Sequence, residues 1–234
     1  MKSLSIIIPC FNEYARLYKN LPIISEYCDR FKDIEIIFVN DGSTDNTLKL
    51  LNFYIKYNKT MKIISYEQNK GKGYAVRTGI KAATKDLILF MDADLATDLS
   101  CIEKAITKAK YMKKDFMLIG NREDKKSKVE ASIFRTFIGR IFVILQRIIL
   151  GMNYPDTQCG FKLMSKSVVK QISDDLQVDR WAFDVEMLYV CKQYHITVKS
   201  MPVIWHDVAG SKVHPMKDSY KMFLELLRIK RIHE

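Results

Sequence analysis

The sequence lacks several features that would place it in a familiar class. None of its five cysteines occurs in a CxxC pair, and their odd number and irregular spacing predict reduced, mostly buried thiols instead of a disulfide frame or zinc site. No GxxxxGK[ST] loop is present, so a P-loop NTPase is not expected. Glycine and proline are few (9 and 5), and neither repeats nor low-complexity tracts occur, which excludes fibrous and disordered classes. No long apolar stretch precedes the first predicted strand, so no signal peptide is expected.

Acidic residues are outnumbered, with 27 Asp and Glu against 38 Lys and Arg, for a net charge of +11. A basic surface suits nucleic acid, anionic lipid or a phosphorylated substrate, although general lysine enrichment would give the same number. Charge alone therefore leaves open a non-enzymatic basic module that binds a membrane or nucleic acid.

Short apolar runs alternate with amphipathic stretches of helical length through the first half. The predicted strands are Leu4–Ile8, Ile34–Val39, Lys62–Tyr66, Leu87–Met91 and Phe116–Gly120. The predicted helices are Glu13–Phe31, Asp45–Tyr57, Gly73–Thr84 and Ser100–Lys113. Strands that are apolar at all positions and alternate with helices predict an α/β fold with a mostly parallel sheet covered on both faces. Ligands of such sheets bind at the carboxyl ends of the strands.

The pattern changes after residue 125, yet we predict a single domain over residues 1–234. Residues 125–130 read as a charged linker, Ala131–Gly151 as an apolar and basic helix, and Asp218–Ile232 as a basic C-terminal helix. Arg140 and Arg147 fall on one face of the first of these helices, and its charge-free runs are too short to span a bilayer. A helix of this kind fits the headgroup region of a membrane, with a core helix or a dimer seam as the alternative.

The sharpest motif is a pair of aspartates, Asp92 and Asp94, directly after the strand Leu87–Met91. Two neighbouring carboxylates repel each other and are costly to desolvate, so they favour a bound divalent cation. Oxygen ligands suit Mg²⁺ or Mn²⁺, which often binds through one or two carboxylates and substrate phosphates. The pattern predicts a metal site at which a diphosphate leaving group is neutralised.

Other polar residues follow the first two strands. Pro9 is expected to stop the strand ladder, and Asn12 to cap the helix that begins at Glu13. Asp41 ends the second strand, where a carboxylate can accept hydrogen bonds from a ribose or a base N–H, and Asp45 is expected to cap the next helix.

A glycine- and lysine-containing loop follows the third strand. Gly71 and Gly73 allow a close backbone approach, Lys70 and Lys72 add positive charge, and a helix begins there. The arrangement suits a phosphate, with a solvated turn as the alternative.

Together these segments resemble the inverting family 2 glycosyltransferases of the GT-A fold. The matching segments are Ile-Ile-Pro-Cys-Phe-Asn-Glu at 7–13, Asn-Asp-Gly-Ser-Thr-Asp at 40–45, Asn-Lys-Gly-Lys-Gly at 69–73 and Asp-Ala-Asp at 92–94. In the second half, residues 154–163 and 180–186 are similar to the dolichyl-phosphate glucosyltransferase branch. Two further segments are similar to polyprenyl-phosphate glycosyltransferases: Gly120-Asn121-Arg122 and Gly210-Ser211-Lys212. The resemblance extends over nearly the whole chain.

The resemblance implies a glycosyltransferase with a nucleotide-sugar half (1–125) and an acceptor half (126–234). It implies UDP-glucose or a related donor, a divalent metal (Mg²⁺ or Mn²⁺) and a polyprenyl-phosphate acceptor, with a hydroxyl of a lipid-linked or surface polysaccharide as the alternative acceptor. We expect a cytoplasmic enzyme held peripherally at the cytosolic face of a membrane, without nucleic acid, and possibly as a homo-oligomer.

The resemblance also assigns roles to residues. The nucleotide-sugar site is assigned Pro9, Asn12, Glu13, Asp41, Lys70, Lys72, Asp92 and Asp94, and the metal Asp92 and Asp94. The catalytic residues are Asp94, Asp184 as a candidate base, and Arg122 and Arg135 as candidate ligands of the acceptor phosphate. The acceptor and sugar pocket is assigned Asp156, Gln158, Trp181 and Lys212. Other readings stay open. Asp184 and Glu186 could order Arg180 or Lys162 in a structural network, and Arg122 and Arg135 could be surface arginines or form salt bridges. Trp181 could stack on a sugar, but we expect it to fill the core.

Overall fold

The predicted alternation of strands and helices is present, and it continues into the second half with one change of strand direction. The computed structural model describes residues 3–112, 114–130, 133–208 and 215–234, with the backbone alone described for 133–141 and 215–222. The strands are β1 (Leu4–Cys10), β2 (Ile34–Asp41), β3 (Met61–Tyr66), β4 (Leu87–Met91), β5 (Phe116–Asn121), β6 (Lys128–Glu130), β7 (Phe161–Ser165), β8 (Thr197–Pro202) and β9 (Ile204–His206). The helices are α1 (Tyr14–Cys28), α2 (Thr47–Ile55), α3 (Lys72–Ala82), α4 (Ser100–Ala109), α5 (Ile133–Leu150), α6 (Lys166–Ile172), α7 (Phe183–Gln193) and α8 (Pro215–His233).

Seven of these strands form one sheet in the order β3-β2-β1-β4-β7-β5-β8. All neighbours are parallel except β7, which runs antiparallel to both β4 and β5. The predicted α/β class with a mostly parallel sheet is confirmed. Strand β7 comes from the second half of the chain and pairs with β4 from the first half. The carboxyl end of β4, which precedes Asp92 and Asp94, is therefore surrounded by residues of both halves.

The two faces of the sheet pack on different helices because successive side chains of a strand point in opposite directions. On β1, Ile6 and Ile8 belong to the core that includes Leu17 of α1, whereas Ile7 belongs to the core that includes Val76 of α3. These side chains are almost completely buried, and each such burial stabilises the fold by about 1.5–3 kcal/mol. The strands are thereby held rigidly, and so are the residues at their ends.

Two expectations about the chain path are wrong. Pro9 does not end the first strand, because β1 continues to Cys10 and Pro9 lies opposite Val39 of β2. Pairing of β1 with β4 has already ended at Ile7, so Pro9 occupies a position with one unpaired edge, where a residue without N–H is tolerated. The charged linker is also partly strand, since β6 pairs with β9 in a separate two-stranded sheet.

Helices α5 and α8, both expected from the sequence, pack against each other. Within the described ranges, no helix has an apolar stretch that is long enough to cross a bilayer.

Candidate active site

Asp92 and Asp94 lie where β4 ends, and α3 brings a lysine to them. The Nζ atom of Lys72 lies 2.6 Å from Oδ1 of Asp92. Burial disfavours the lysine charge, but the carboxylates of Asp92, Asp184 and Asp94 raise the pKa of Lys72 above its ordinary value. The structure therefore joins the Lys72 loop and the aspartate pair in one cluster, as the sequence predicts.

Asp94 remains short of positive charge in this cluster. Its Oδ1 accepts a hydrogen bond from the Ala96 N–H at 3.0 Å. Burial and the neighbouring charge of Asp92 raise the pKa of Asp94, and Lys72 and Arg16 offset this only in part. Among the described residues, no three His, Cys, Asp or Glu side chains form a group that could hold a metal ion. A cation at this place would thus have two protein carboxylates and would need further oxygen ligands from elsewhere.

A glycine that sequence reasoning did not single out makes room for Asp92. Phe161, the first residue of β7, lies opposite Met91, which places Gly160 directly beside Asp92. A Cβ atom at Gly160 would lie 1.9 Å from Oδ2 of Asp92. The only sequence signal was the Gln-Cys-Gly-Phe segment, whose spatial neighbour could not be read from the chain.

Asp41 organises the glycine- and lysine-containing loop. Its carboxylate is buried and accepts hydrogen bonds from Asn69 Nδ2 (2.8 Å), Lys70 N (2.7 Å) and Gly71 N (3.0 Å). A carboxylate offers about four acceptor positions, so the loop occupies most of them. Asp41 therefore holds the loop that carries Lys72.

The start of α3 differs from the expected phosphate cradle. The N–H groups of Gly73 and Tyr74 donate to the carbonyl of Asp179 at 2.8 and 3.2 Å, so the protein itself occupies them. The glycines do allow a close approach, but the approach is to the backbone at residues 178–179. Lys70 stacks near Tyr74, with its Nζ 4.6 Å from the ring centroid, and only Lys72 reaches the aspartate pair.

The turn after β1 also differs in detail from expectation. Helix α1 begins at Tyr14 without a side-chain cap from Asn12, whose Oδ1 accepts the Thr44 N–H at 2.8 Å and so fixes the turn after β2. Asp45 accepts the N–H of Thr47 at the start of α2, as predicted, and also that of Tyr14. Glu13 pairs with Arg16, the residue that extends positive charge toward Asp94.

A bidentate ion pair joins Arg122 of the first half to Asp156 of the second half. Nε and Nη2 of Arg122 donate to the two carboxylate oxygens of Asp156 at 2.8 and 2.9 Å. Burial opposes ionisation of Asp156, but Arg122 keeps its pKa below the ordinary value. The guanidinium also lies over the Trp205 ring at 5.4 Å, and Asp156 accepts the Gln158 N–H at 3.2 Å. The predicted pocket residues Asp156 and Gln158 thus adjoin Arg122.

Asp184 lies on α7 in a buried ion pair with Lys162 of β7, whose Nζ also donates to the Cys159 carbonyl at 2.8 Å. Burial raises the pKa of Asp184 above its ordinary value, although Lys162 and Lys72 act in the opposite direction. The structural network left open by the sequence is present for Asp184. Glu186 contacts neither Arg180 nor Lys162 by a hydrogen bond in the described part of the chain, and binds the backbone at 177–178 instead.

Trp181 is not a core residue, because 47% of its surface is exposed. Its ring lies 5.3 Å from Nζ of Lys72, beside the aspartate pair, so the expected core position is wrong, and the assignment to the sugar pocket stays a prediction. The side chain of Arg135 and the whole of Lys212 lie outside the described residues.

The model of glycosyl transferase family 2 matches residues 5–173, a range that includes Lys72, the aspartate pair and the Arg122–Asp156 ion pair. The chain belongs to glycosyl transferase family 2. It is therefore an enzyme, and the alternative of a non-enzymatic basic module is wrong.

Relatives of this family 2 glycosyltransferase cover nearly its whole length. It is 35% identical to a dolichyl-phosphate beta-glucosyltransferase of Trichomonas vaginalis, over 96% of this chain and 72% of the relative. It is 34% identical to the dolichyl-phosphate beta-glucosyltransferase of Saccharomyces cerevisiae, over 97% of this chain and 74% of the relative.

Solved structures confirm the GT-A fold at low sequence identity. The glucosyl-3-phosphoglycerate synthase of Mycobacterium tuberculosis in complex with UDP superposes with a TM-score of 0.69 at 16% identity, over 98% of this chain and 80% of that chain. A mannosyltransferase of Pyrobaculum calidifontis in complex with GDP-Man and Mn²⁺ gives a TM-score of 0.63 at 15% identity, over 100% of this chain and 65% of that chain.

Proposed function

We propose that this enzyme transfers glucose from UDP-glucose to a polyprenyl phosphate, with inversion at the anomeric carbon. The observation that carries the proposal is the near full-length similarity to dolichyl-phosphate beta-glucosyltransferases, at 34–35% identity in the two compared above. The fold neighbour crystallised with UDP supports the donor class. The cluster around Asp92 supports the proposal, because it places two carboxylates and a lysine together at the end of β4.

Asp92 and Asp94 are proposed to hold a divalent cation, Mg²⁺ or Mn²⁺. The fit is supported by Asp94, whose carboxylate pKa is raised by burial and by Asp92, because a cation here would relieve that unfavourable charge. The Mn²⁺ in the mannosyltransferase neighbour agrees with this metal class. Bound there, the metal would neutralise charge on the departing diphosphate.

The donor half of the site is proposed to use Lys72, Asp41 and Trp181. Lys72 is positioned to move from Asp92 to a phosphate oxygen of the donor once a cation takes its place beside the carboxylates. Asp41 orders the Lys70–Gly71 backbone and is proposed to face the base of the donor. Trp181 offers an exposed ring beside Lys72 on which a sugar can stack. Pro9, Asn12 and Glu13 shape the turn below the nucleotide.

The acceptor half is proposed to bind an anionic nucleophile. An acceptor phosphate oxygen forms the new bond to the anomeric carbon, while the bond from that carbon to the diphosphate breaks and UDP leaves with the electron pair. A phosphate needs no general base, so positioning and charge neutralisation supply most of the acceleration. Arg122 uses two of its five N–H donors on Asp156 and keeps the others for a phosphate, and Arg135 is proposed as a second ligand. Asp184 would serve as a base only for a hydroxyl acceptor.

A membrane surface is proposed to meet the enzyme on α5 and α8, at the cytosolic face. Apolar side chains are exposed on both helices: Ile144 (55%), Ile148 (74%), Leu224 (45%) and Leu227 (43%). Arg147 adds positive charge on α5. An apolar surface flanked by basic residues suits the headgroup region of an anionic bilayer, where a lipid-linked acceptor would be presented.

The donor and acceptor are tested by screening UDP- and GDP-sugars against a short polyprenyl phosphate and a free sugar hydroxyl, with Mn²⁺ present. We expect a glucosyl-phosphate lipid from UDP-glucose and no transfer after chelation. Transfer to the hydroxyl alone, with loss of activity in Asp184→Asn, would favour the polysaccharide acceptor instead.

The membrane face is tested by sedimentation with vesicles that contain anionic lipid. Ile148→Glu should weaken binding, because it places a negative charge in the apolar contact. Tyr111→Glu is the matched control, since Tyr111 is 86% exposed and follows α4 on the opposite face of the sheet. Unchanged binding together with a change of oligomeric state in Ile148→Glu would show that this face is a subunit contact.

A further inference from the structure

Residues 176–182, between α6 and α7, form a segment that lies against the start of α3, and we call it the strap. The carbonyl of Asp179 accepts the N–H groups of Gly73 and Tyr74, and Arg77 donates to Leu176 O and Asp179 Oδ1 at 2.8 and 2.6 Å. A Cβ atom at Gly73 would lie 2.2 Å from the Val178 carbonyl, so the contact is close. The strap therefore fixes the backbone that directly follows Lys72.

The strap is held from behind by a buried carboxylate. Glu186 of α7 has no exposed surface, and its two oxygens accept the N–H groups of Gln177 and Val178 at 2.8 and 2.9 Å. Hydrogen bonds to a charged group are about twice as strong as those between neutral groups, and a buried carboxylate needs them. Glu186 thus sets the position of the strap backbone just before Asp179.

The last helix supplies a third partner to this carboxylate. Nε2 of His233 lies 3.0 Å from Oε1 of Glu186, and only 9% of the histidine side chain is exposed. Its ring also packs near Tyr189 of α7, with 6.2 Å between centroids. A contact therefore runs from α8 through Glu186 and the strap to the loop that carries Lys72.

We infer that His233 and Glu186 are positioning residues for the donor side of the reaction. They hold the strap so that Gly73 and Tyr74 keep their backbone bonds and Lys72 stays directed at the aspartate pair. Neither residue contacts the aspartate pair by a hydrogen bond or ion pair in the described part of the chain, so both act through the strap. The kinetic part of this inference rests on the proposed function, whereas the coupling between α8 and the Lys72 loop does not.

Hydrogen–deuterium exchange tests the coupling without any substrate. In His233→Ala, we expect faster exchange in peptides that cover 177–178 and also in peptides that cover 73–74. His233→Gln retains an N–H donor and should restore most of the protection. Lys230→Ala is the control on the same helix, because Lys230 makes only a surface pair with Glu234 at 3.6 Å. Faster exchange at 177–178 alone would overturn the inference.

Steady-state kinetics test the positioning role. His233→Ala should raise the donor KM about tenfold, within the range for residues that couple to a site without contacting its ligand, while the acceptor KM stays unchanged. Glu186→Gln should act in the same direction. A lower melting temperature with both KM values unchanged would mean that the pair is merely structural. If the wild type transfers no sugar, the proposed function fails, and the exchange experiment still decides the coupling.

Discussion

Buried acids at the two ends of the central sheet have pKa values that are shifted in opposite directions. At the amino end, Glu35 of β2 accepts hydrogen bonds from Ser5 Oγ (2.6 Å), Lys62 Nζ (2.7 Å) and both N and Oγ1 of Thr84 (2.7 and 2.8 Å). Burial would raise its pKa, but these bonds lower it to about 2. At the carboxyl end, the pKa values of Asp94 and Asp184 are raised, first of all by burial.

The two kinds of buried acid differ in what they contribute to the protein. Glu35 is fully partnered within the protein, so its charge stabilises the folded state at neutral pH. Asp94 has fewer partners than its charge requires, and we propose that the folded state carries that cost because the group binds a ligand. Perturbed acids of the second kind are typical of functional sites. The comparison predicts that substitutions at the amino end of the sheet alter the free energy of unfolding, whereas substitutions at the carboxyl end alter activity.

The largest expected effect is on activity, in Asp94→Asn. Removing this carboxylate takes away a proposed metal ligand, and glucose transfer should fall about 10²–10³-fold. Because the pKa of Asp94 is raised, its charged form is penalised in the folded state at neutral pH, so the melting temperature should rise. Asp86→Asn is the control for both measurements, because Asp86 directly precedes β4 and its carboxylate accepts a hydrogen bond from Ser3 Oγ at 2.9 Å.

The next effect comes from Gly160→Ala. The added Cβ would overlap the carboxylate of Asp92, which must then shift from the position in which it pairs with Lys72. We expect activity to fall about 10–100-fold, since a displacement of this size at a reacting centre has such consequences. Wild-type turnover in Gly160→Ala would contradict the placement of Asp92. The Mn²⁺ affinity of the variant, measured by electron paramagnetic resonance, tests the same placement independently of turnover.

The third change removes the buried charge at the amino end of the sheet. Glu35→Gln removes the charge and leaves hydrogen-bond donors poorly matched, which should lower the free energy of unfolding by about 2 kcal/mol. Turnover per folded molecule should be unchanged. Urea denaturation measures the first quantity, and a loss of turnover without a loss of stability would refute the separation of the two ends.

The smallest effect is a pH dependence of stability. The pKa of Glu35 in the folded state, about 2, is below its ordinary value of 4.5. Its contribution is therefore present above pH 4.5 and is lost as the pH falls toward 2. Unfolding free energies over this range should decline less steeply in Glu35→Gln than in the wild type. Parallel slopes would show that Glu35 does not titrate with folding.

Several details of the site could not be predicted from the sequence. The aspartate pair at the end of β4 was predictable because a buried strand followed by two acids specifies its own local geometry. Gly160 was not, since its neighbour Asp92 is distant in the chain. Trp181 was expected to fill the core and is instead exposed, because the exposure of an aromatic residue depends on what packs over it.

The sequence by itself determined the class of fold, the family resemblance and the aspartate pair, because hydrophobic periodicity and short motifs are local properties. Only the tertiary structure decided that β7 inserts antiparallel between β4 and β5, that Lys72 pairs with Asp92, and that Asp179 occupies the amides at the start of α3. These are contacts between segments far apart in the chain. Their energy depends on distance, burial and the competition among partners, and those quantities exist only once the chain has folded.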